Sequence, residues 1–248
     1  MKGNVMDLRK TDIEWNGFRG VEFRFEDRHC LLIFPSTPCE GNKWLLKTEY
    51  FNAFPAFEIE MLKRGFHLAY IANKSRWMVP EDVDVKDRFA QLLADEFGLN
   101  EKCVPVGMSC GGLHAVYFAA KYPSRIAALY LDAPVMNLLS CPGAVGRAPN
   151  AAMAELERDT GLNFAKLINY RNHPIDHVSE LLSAKLPIIL IAGDSDVVVP
   201  YNENGELLAK MYREGGGELV EIIKPGCNHH PHGLDDNTPI IDFVLNHY

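Results

Sequence analysis

Val104-Pro105-Val106-Gly107-Met108-Ser109-Cys110-Gly111-Gly112-Leu113 is the stretch on which the reading of this chain turns. An apolar strand, 103–106, runs into a glycine-flanked serine and out into a helical pattern, 113–121, that stops before Pro123. A strand–turn–helix junction of the form Gly-x-Ser-x-Gly is what a nucleophile elbow requires. The turn is so tight that the positions two before and two after the serine must be small, and glycine fills both, at 107 and 111. The hydroxyl then stands at a helix N-terminus, where backbone N–H groups and the helix dipole favour negative charge. Cys110 offers a thiol in the same turn, but a frame shifted by one would put Met108 where a small residue is needed. Cys110 is therefore expected to follow the nucleophile and give its backbone N–H to an oxyanion hole.

Outward from the elbow, strands and helices alternate. Upstream, Val21, Phe23 and Phe25 alternate with Glu22, Arg24 and Glu26, and the polar turn Asp27-Arg28 leads into the apolar run 30–34. The pair reads as an antiparallel hairpin. Residues 66–71 form a short buried-type strand, and 82–97 a helix with an acidic first turn and Gly98 after its end. Downstream, 126–131, 187–192 and 219–223 supply further strands. This order predicts a single α/β domain over 1–248: a mostly parallel sheet, helices on both faces, and the antiparallel hairpin at one edge. Residues 137–175 break the rhythm, with Cys141-Pro142-Gly143 and helical segments at 151–158 and 163–170. They are expected to form a small helical cap above the carboxyl ends of the strands, where open α/β sheets bind ligands.

Two partners for the serine follow downstream. Ile191-Ala192-Gly193-Asp194-Ser195-Asp196 ends a strand in carboxylates, one of which can fix a histidine's tautomer. Asp194 and Asp196 compete for that role, with Asp132 as a third contender; Asp194 also suits a turn role. The histidine follows the last strand in Pro225-Gly226-Cys227-Asn228-His229-His230-Pro231-His232. One of His229, His230 and His232 is the expected general base, the other two being structural or substrate-facing neighbours. Adjacent histidines are expected to point apart, and no ligand partner stands at zinc-like spacing, so no metal and no cofactor is expected. His114, on the helix behind the elbow, reads as a packing residue. The second oxyanion donor is expected from Ser36 or Thr37, after the strand ending at Phe34.

Taken together, Gly107-x-Ser109-x-Gly111-Gly112, Gly193-Asp194-x-Asp196-x-Val198-Val199-Pro200 and Pro225-Gly226-x-x-His229-His230-Pro231-His232 resemble the α/β-hydrolase superfamily over essentially the whole chain from the hairpin onward. The resemblance implies that fold, with the acid at Asp196, four before the proline, and the base at His229. Asn228 stands where the pattern has glycine, which leaves the choice among the three histidines open. Asp132-Ala133-Pro134 and the His-His-Pro-His tail also resemble a branch grouped with esterases of carbohydrate-degrading bacteria.

The expected activity is hydrolysis of a small acyl ester by Ser-His-Asp acyl-enzyme chemistry, with an acetylated carbohydrate as substrate and Trp44, Trp77 and Tyr201 as stacking platforms. The alternatives are a small-peptide serine peptidase and a non-catalytic binding protein of the same fold. Twenty-five Lys+Arg against 33 Asp+Glu, a net charge of −8, favour neither nucleic acid nor an anionic membrane as partner. No apolar run reaches the roughly 18–20 residues that span a bilayer, and residues 1–10 carry charges throughout with no signal-like apolar core. Six cysteines without paired spacing read as free thiols, and the expected location is the cytoplasm.

Overall fold

The computed structural model describes residues 8–77, 79–143, 145–147 and 152–248. Most of the charged N-terminal stretch and the first residue of the expected 151–158 helix lie outside the described residues.

The described residues contain a nine-stranded sheet built from β1 (Thr11–Trp15), β2 (Phe18–Phe25), β3 (Arg28–Ile33), β4 (Trp44–Lys47), β5 (His67–Ile71), β6 (Val104–Met108), β7 (Leu129–Asp132), β8 (Ile188–Gly193) and β9 (Leu219–Lys224). Their order across the sheet is β1-β2-β3-β5-β4-β6-β7-β8-β9. The first three strands are antiparallel to their neighbours, and from β5 to β9 every pairing is parallel. This is the α/β-hydrolase architecture that the alternation of strands and helices predicts.

Period-2 alternation distributes the apolar side chains between two faces. Leu46, Leu129, Leu131, Ile188 and Leu190 join Val21, Phe23 and Phe25 on one face, covered by α2 (Pro80–Phe97), α3 (Cys110–Lys121), α6 (Val178–Ser183) and α7 (Gly205–Glu214). Leu45, Val104, Val106, Tyr130, Ile189 and Ile191 line the other, covered by α1 (Ala56–Lys63) and α8 (Thr238–His247). Gly98 adopts φ 65 at the end of α2, the left-handed stop that its position after the helix implies. A third apolar cluster sits above the strand ends. There Leu156 of α4 (Met153–Thr160) and Leu167 of α5 (Phe164–Asn169) pack with Cys110, Leu113 and Tyr117 of α3.

Two strands escape the sequence reading. β1 extends the edge hairpin to three strands. β4 is only four residues long and ends in a lysine, so it lacks the usual signature, yet it lies between β5 and β6. Lys47 is wholly buried there against Glu58 of α1, which is buried as well. Ile126, expected to begin β7, joins the sheet only through an isolated bridge to Cys103.

All six cysteines are free, and Cys30, Cys103, Cys110 and Cys141 are buried. Burial pushes the thiols of Cys30 and Cys141 up to about 12 and that of Cys110 up to about 11, from an ordinary 9.0. The folded chain keeps these thiols protonated while the unfolded chain ionises them near 9.0, so above that pH the unfolded state binds fewer protons and stability falls as pH rises. In reducing buffer the urea midpoint should drop as pH is raised from 9 towards 11, and Cys30→Ala should show a shallower drop than the parent, whatever its midpoint at neutral pH. A midpoint constant across that window would mean that the thiols are not sequestered.

Candidate active site

Ser109 sits between β6 and α3 at φ 54, ψ −121, a left-handed conformation that a non-glycine residue adopts at a cost of roughly 1–3 kcal/mol. Glycines make the turn possible. A Cβ at Gly107 would stand 2.8 Å from the Gly111 carbonyl oxygen, and one at Gly112 only 2.3 Å from Pro134 Cβ. The turn is anchored by the Ser109 N–H donating to the Asp132 carbonyl at 3.0 Å, while its own carbonyl accepts from Gly112 and Val135.

The structure brings Ser109, His229 and Asp196 together. His229 Nδ1 lies 2.7 Å from Asp196 Oδ2, and its Nε2 lies 3.0 Å from Ser109 Oγ. A carboxylate only accepts, so the Nδ1 proton donates to Asp196 and Nε2 offers its lone pair to the serine hydroxyl. Asp196 and His229 are both buried. The other oxygen of Asp196 accepts the N–H groups of Val198 and Val199 at 2.8 Å each, so the carboxyl group is held by its own loop.

The rival residues have other partners. Asp194 is exposed and accepts from the Gly226 N–H at 2.7 Å and from the Ser195 hydroxyl. Asp132 holds His232 at 2.7 Å and the Gly233 N–H at 2.6 Å. His230 is exposed and stacks on Phe54; burial of its ring, then the neighbouring imidazoles, hold it below the usual histidine range. Against expectation the three histidines do not point apart, for their ring centroids lie 4.7–5.0 Å from one another. His114 is wholly buried with Nε2 3.0 Å from the Ser75 carbonyl, and burial keeps it well below the usual range, as suits a neutral packing residue. The buried, unionised thiol of Cys110 is a poor nucleophile, consistent with a backbone role.

Ser36 and Thr37 lie at the wrong end of the sheet. β3 runs antiparallel to β5, with Ile33 opposite Leu68, and Leu68 is level with Leu45 and Val104 at the start of the parallel strands. The chain beyond Ile33 therefore leads away from Ser109, and Thr37 backs onto Gly65 instead. The loop facing the elbow follows β4: the Thr48 hydroxyl is 2.7 Å from the Gly111 carbonyl, and the Thr48 N–H donates to Val106. Asn73 braces this loop, donating to the Thr48 carbonyl at 2.7 Å and to Glu49 at 2.6 Å while accepting from the buried Lys86. Sequence reading missed Thr48, Glu49 and Asn73 because it missed β4. Two of the aromatic platforms fail too. Trp44 is wholly buried and donates to the Asn100 carbonyl, Trp77 is 3% exposed, and the Tyr201 hydroxyl is bonded to Glu221.

A family model described as the prolyl oligopeptidase family matches residues 65–247, well over half of the chain. The chain belongs to that family, and thereby to the serine hydrolases of α/β-hydrolase fold. Among solved structures it is similar to the acylaminoacyl peptidase of Pyrococcus horikoshii, with a TM-score of 0.67 at 16% identity over 91% of this chain and 38% of that one. It is also similar to dipeptidyl peptidase 4 of Porphyromonas gingivalis (0.66, 11% identity, 97% and 35%) and to a puromycin hydrolase (0.70, 17%, 96% and 38%). At these identities the likeness is one of fold, and the chain spans little more than a third of the length of each of these proteins. The expected kinship with carbohydrate esterases finds no support in these matches, which are of peptidase type.

The loops carrying Asp196 and His229 touch at Gly193, where an added Cβ would stand 2.2 Å from the Cys227 carbonyl oxygen. Gly193→Ala should push the 226–229 turn away from Asp196 and lower kcat by roughly tenfold to a hundredfold, with KM far less affected. Steady-state kinetics beside a circular dichroism spectrum check this; parental kcat in a folded variant would mean that the contact does not position His229.

Proposed function

We propose that the chain is a serine peptidase cleaving amide bonds of short peptides or small aminoacyl amides through an acyl-enzyme. Ser109 is the nucleophile, His229 the general base and Asp196 the carboxylate that orients it. The observation that carries this reading is the unbroken line from Ser109 Oγ through His229 to Asp196, set on a strained serine turn in a member of the prolyl oligopeptidase family.

In this reading His229 Nε2 takes the hydroxyl proton as Ser109 Oγ attacks the carbonyl carbon. The oxyanion meets the Cys110 N–H at the N-terminus of α3 and a second N–H from the 48–50 loop, which the Thr48 hydroxyl ties to the elbow. The imidazolium, stabilised by Asp196, then protonates the leaving nitrogen, and water releases the acyl group by the reverse arrangement. Residues 137–175 act as a cap within the one domain. Their helices α4 and α5 rest on α3, and Glu155 of α4 is paired with Arg76.

The same chemistry cleaves small acyl esters, whose alkoxide departs more easily than an amine. With Trp44 and Trp77 buried, an acetylated carbohydrate loses two of the three aromatic residues that favoured it. The names of the structural neighbours, acylaminoacyl peptidase, dipeptidyl peptidase and puromycin hydrolase, support the amide reading over the ester one.

A fluorophosphonate probe should label Ser109 and nothing else, as read by peptide mass spectrometry. A panel of aminoacyl, dipeptidyl and acyl-aminoacyl nitroanilides, run beside acetyl and butyryl nitrophenyl esters, should reveal amide turnover that Ser109→Ala loses by about 10⁴-fold or more. Turnover of esters with none of any amide would return the chain to the esterase reading; labelling that survives Ser109→Ala would remove the nucleophile.

The three carboxylates should separate in the same assay. Asp196→Asn should cut kcat by about 10⁴-fold, because an amide donating to the imidazole leaves the wrong nitrogen protonated. Asp194→Asn and Asp132→Asn, whose side chains hold loops rather than the base, should cost far less. A more damaging Asp132→Asn would move the acid to β7.

A further inference from the structure

The turn that carries the base gathers three imidazoles. One ring nitrogen from each of His229, His230 and His232 lies within 4.8 Å of the other two. Two of these rings are locked by buried carboxylates: Asp196 holds Nδ1 of His229 and Asp132 holds Nδ1 of His232, each at 2.7 Å. Each therefore keeps the lone pair on Nε2, which in His229 faces the Ser109 hydroxyl at 3.0 Å. A carboxylate behind the distal nitrogen is the support that metal-binding histidines use, fixing the tautomer and raising the ring's basicity. His230 is exposed, and among the described residues neither of its ring nitrogens has a hydrogen-bond partner. Phe54 stacks on it at 5.3 Å and meets the edge of His232 at the same distance, walling the cluster on one side.

We propose that His229, His230 and His232 form a site for a divalent transition-metal ion, zinc above all, and that filling it switches the hydrolase off. Three imidazoles are a donor set suited to zinc. Tetrahedral zinc with Zn–N of about 2.0–2.1 Å sets its ligands roughly 3.4 Å apart, so binding has to draw the nitrogens together, by rotation of the exposed His230 and a small shift of the other two rings on their carboxylates. The fourth position is left to water. A metal on His229 Nε2 occupies the lone pair that would otherwise receive the Ser109 proton, so base and ligand are exclusive roles of one atom. The binding site stands on its geometry alone; its effect on turnover rests on the proposed role of His229. Cys227, whose sulfur lies 3.8 Å from the His230 carbonyl, is the rival ligand to be tested.

Cobalt(II), a spectroscopic stand-in for zinc, is titrated into the full chain carrying Ser109→Ala, with a non-thiol reductant present. One cobalt per chain should give the visible absorption of tetrahedral coordination, and zinc should displace it. His230→Ala and His232→Ala should each weaken binding by about tenfold or more, and Asp132→Asn by about tenfold to a hundredfold. In the active chain zinc should inhibit reversibly, with chelator restoring turnover. His230→Ala should raise the half-inhibiting zinc concentration by the factor by which it weakens binding, each rate taken against the variant's own metal-free value. Binding that ignores His230→Ala and His232→Ala but falls with Cys227→Ser overturns the site, as does no binding below millimolar metal. Binding through the histidines with turnover undiminished overturns the switch and, separately, the assignment of His229 as base.

Discussion

The site depends on one crowded junction. Serine at φ 54 is held against its own preference, and such a conformation persists only where the surroundings over-determine it. Here they do so from both sides of the residue. The N–H and C=O of Ser109 are both bonded to the chain leaving β7, through Asp132 and Val135, and Gly112 lets Pro134 of that same segment approach to within the space a Cβ would need. The elbow is thus a joint between β6 and β7, and the small residues at 107 and 112 are required by backbone proximity before any chemistry is considered. On the far side Thr48 closes it, bonding the turn to the end of β4.

Given a fixed serine, the proposed triad needs a carboxylate from the loop after β8 and a histidine from beyond β9 at a common point. The two loops are fastened to each other before either reaches Ser109. The Ser195 N–H donates to the Cys227 carbonyl, Asp194 takes the Gly226 N–H, and Asn228 accepts from Val197 with its side chain. Asn228 stands where the superfamily pattern has glycine, and its side-chain oxygen also accepts the N–H of His229. The substitution leaves the turn in place and adds a tie between acid and base loops, so the departure from the pattern strengthens the register of the pair.

This division explains what could be read from the residues alone. The elbow and the loops that carry the carboxylates and the histidines follow from local rules: steric demands of a turn, chain order, a carboxylate at a strand end; the choice of Asp196 and His229 within them follows from the likeness to the superfamily pattern. The edge hairpin and α2 with its Gly98 stop were legible for the same reason. What escaped depends on contacts between distant segments. β4 is short and carries Lys47, a residue that argues against burial until its partner Glu58, eleven positions on, is known to be buried beside it. Breaking such a pair by removing one partner costs on the order of 3–5 kcal/mol, so it holds α1 to the sheet without leaving a hydrophobic signature. Missing β4 moved the expected oxyanion loop one strand too early, to Ser36 and Thr37, and hid Thr48 and Asn73. The convergence of three histidines was likewise invisible, because it is produced by carboxylates on β7 and on the loop after β8.

Those carboxylates give the His229–Gly233 turn its shape. β7 and the loop after β8 each present an aspartate that grips a histidine of the same turn with one oxygen, and the two differ in what the second oxygen does. That of Asp196 is saturated by its own loop, through the N–H groups of Val198 and Val199. That of Asp132 takes the Gly233 N–H and the Tyr130 hydroxyl, and so pulls the far end of the turn down onto the strand ends. The turn is thus pinned at 229 and again at 232–233, with His230 left at the exposed apex between the pins. A general base has to be held by the protein rather than by its substrate, since its ring must keep the same height above the serine while the substrate comes and goes. Asp196 orients the ring of His229, and the bonds at Cys227, Gly226 and Asn228 fix the backbone on its near side. The Asp132 contact fixes the far side of the turn, so the second carboxylate serves the geometry of the first.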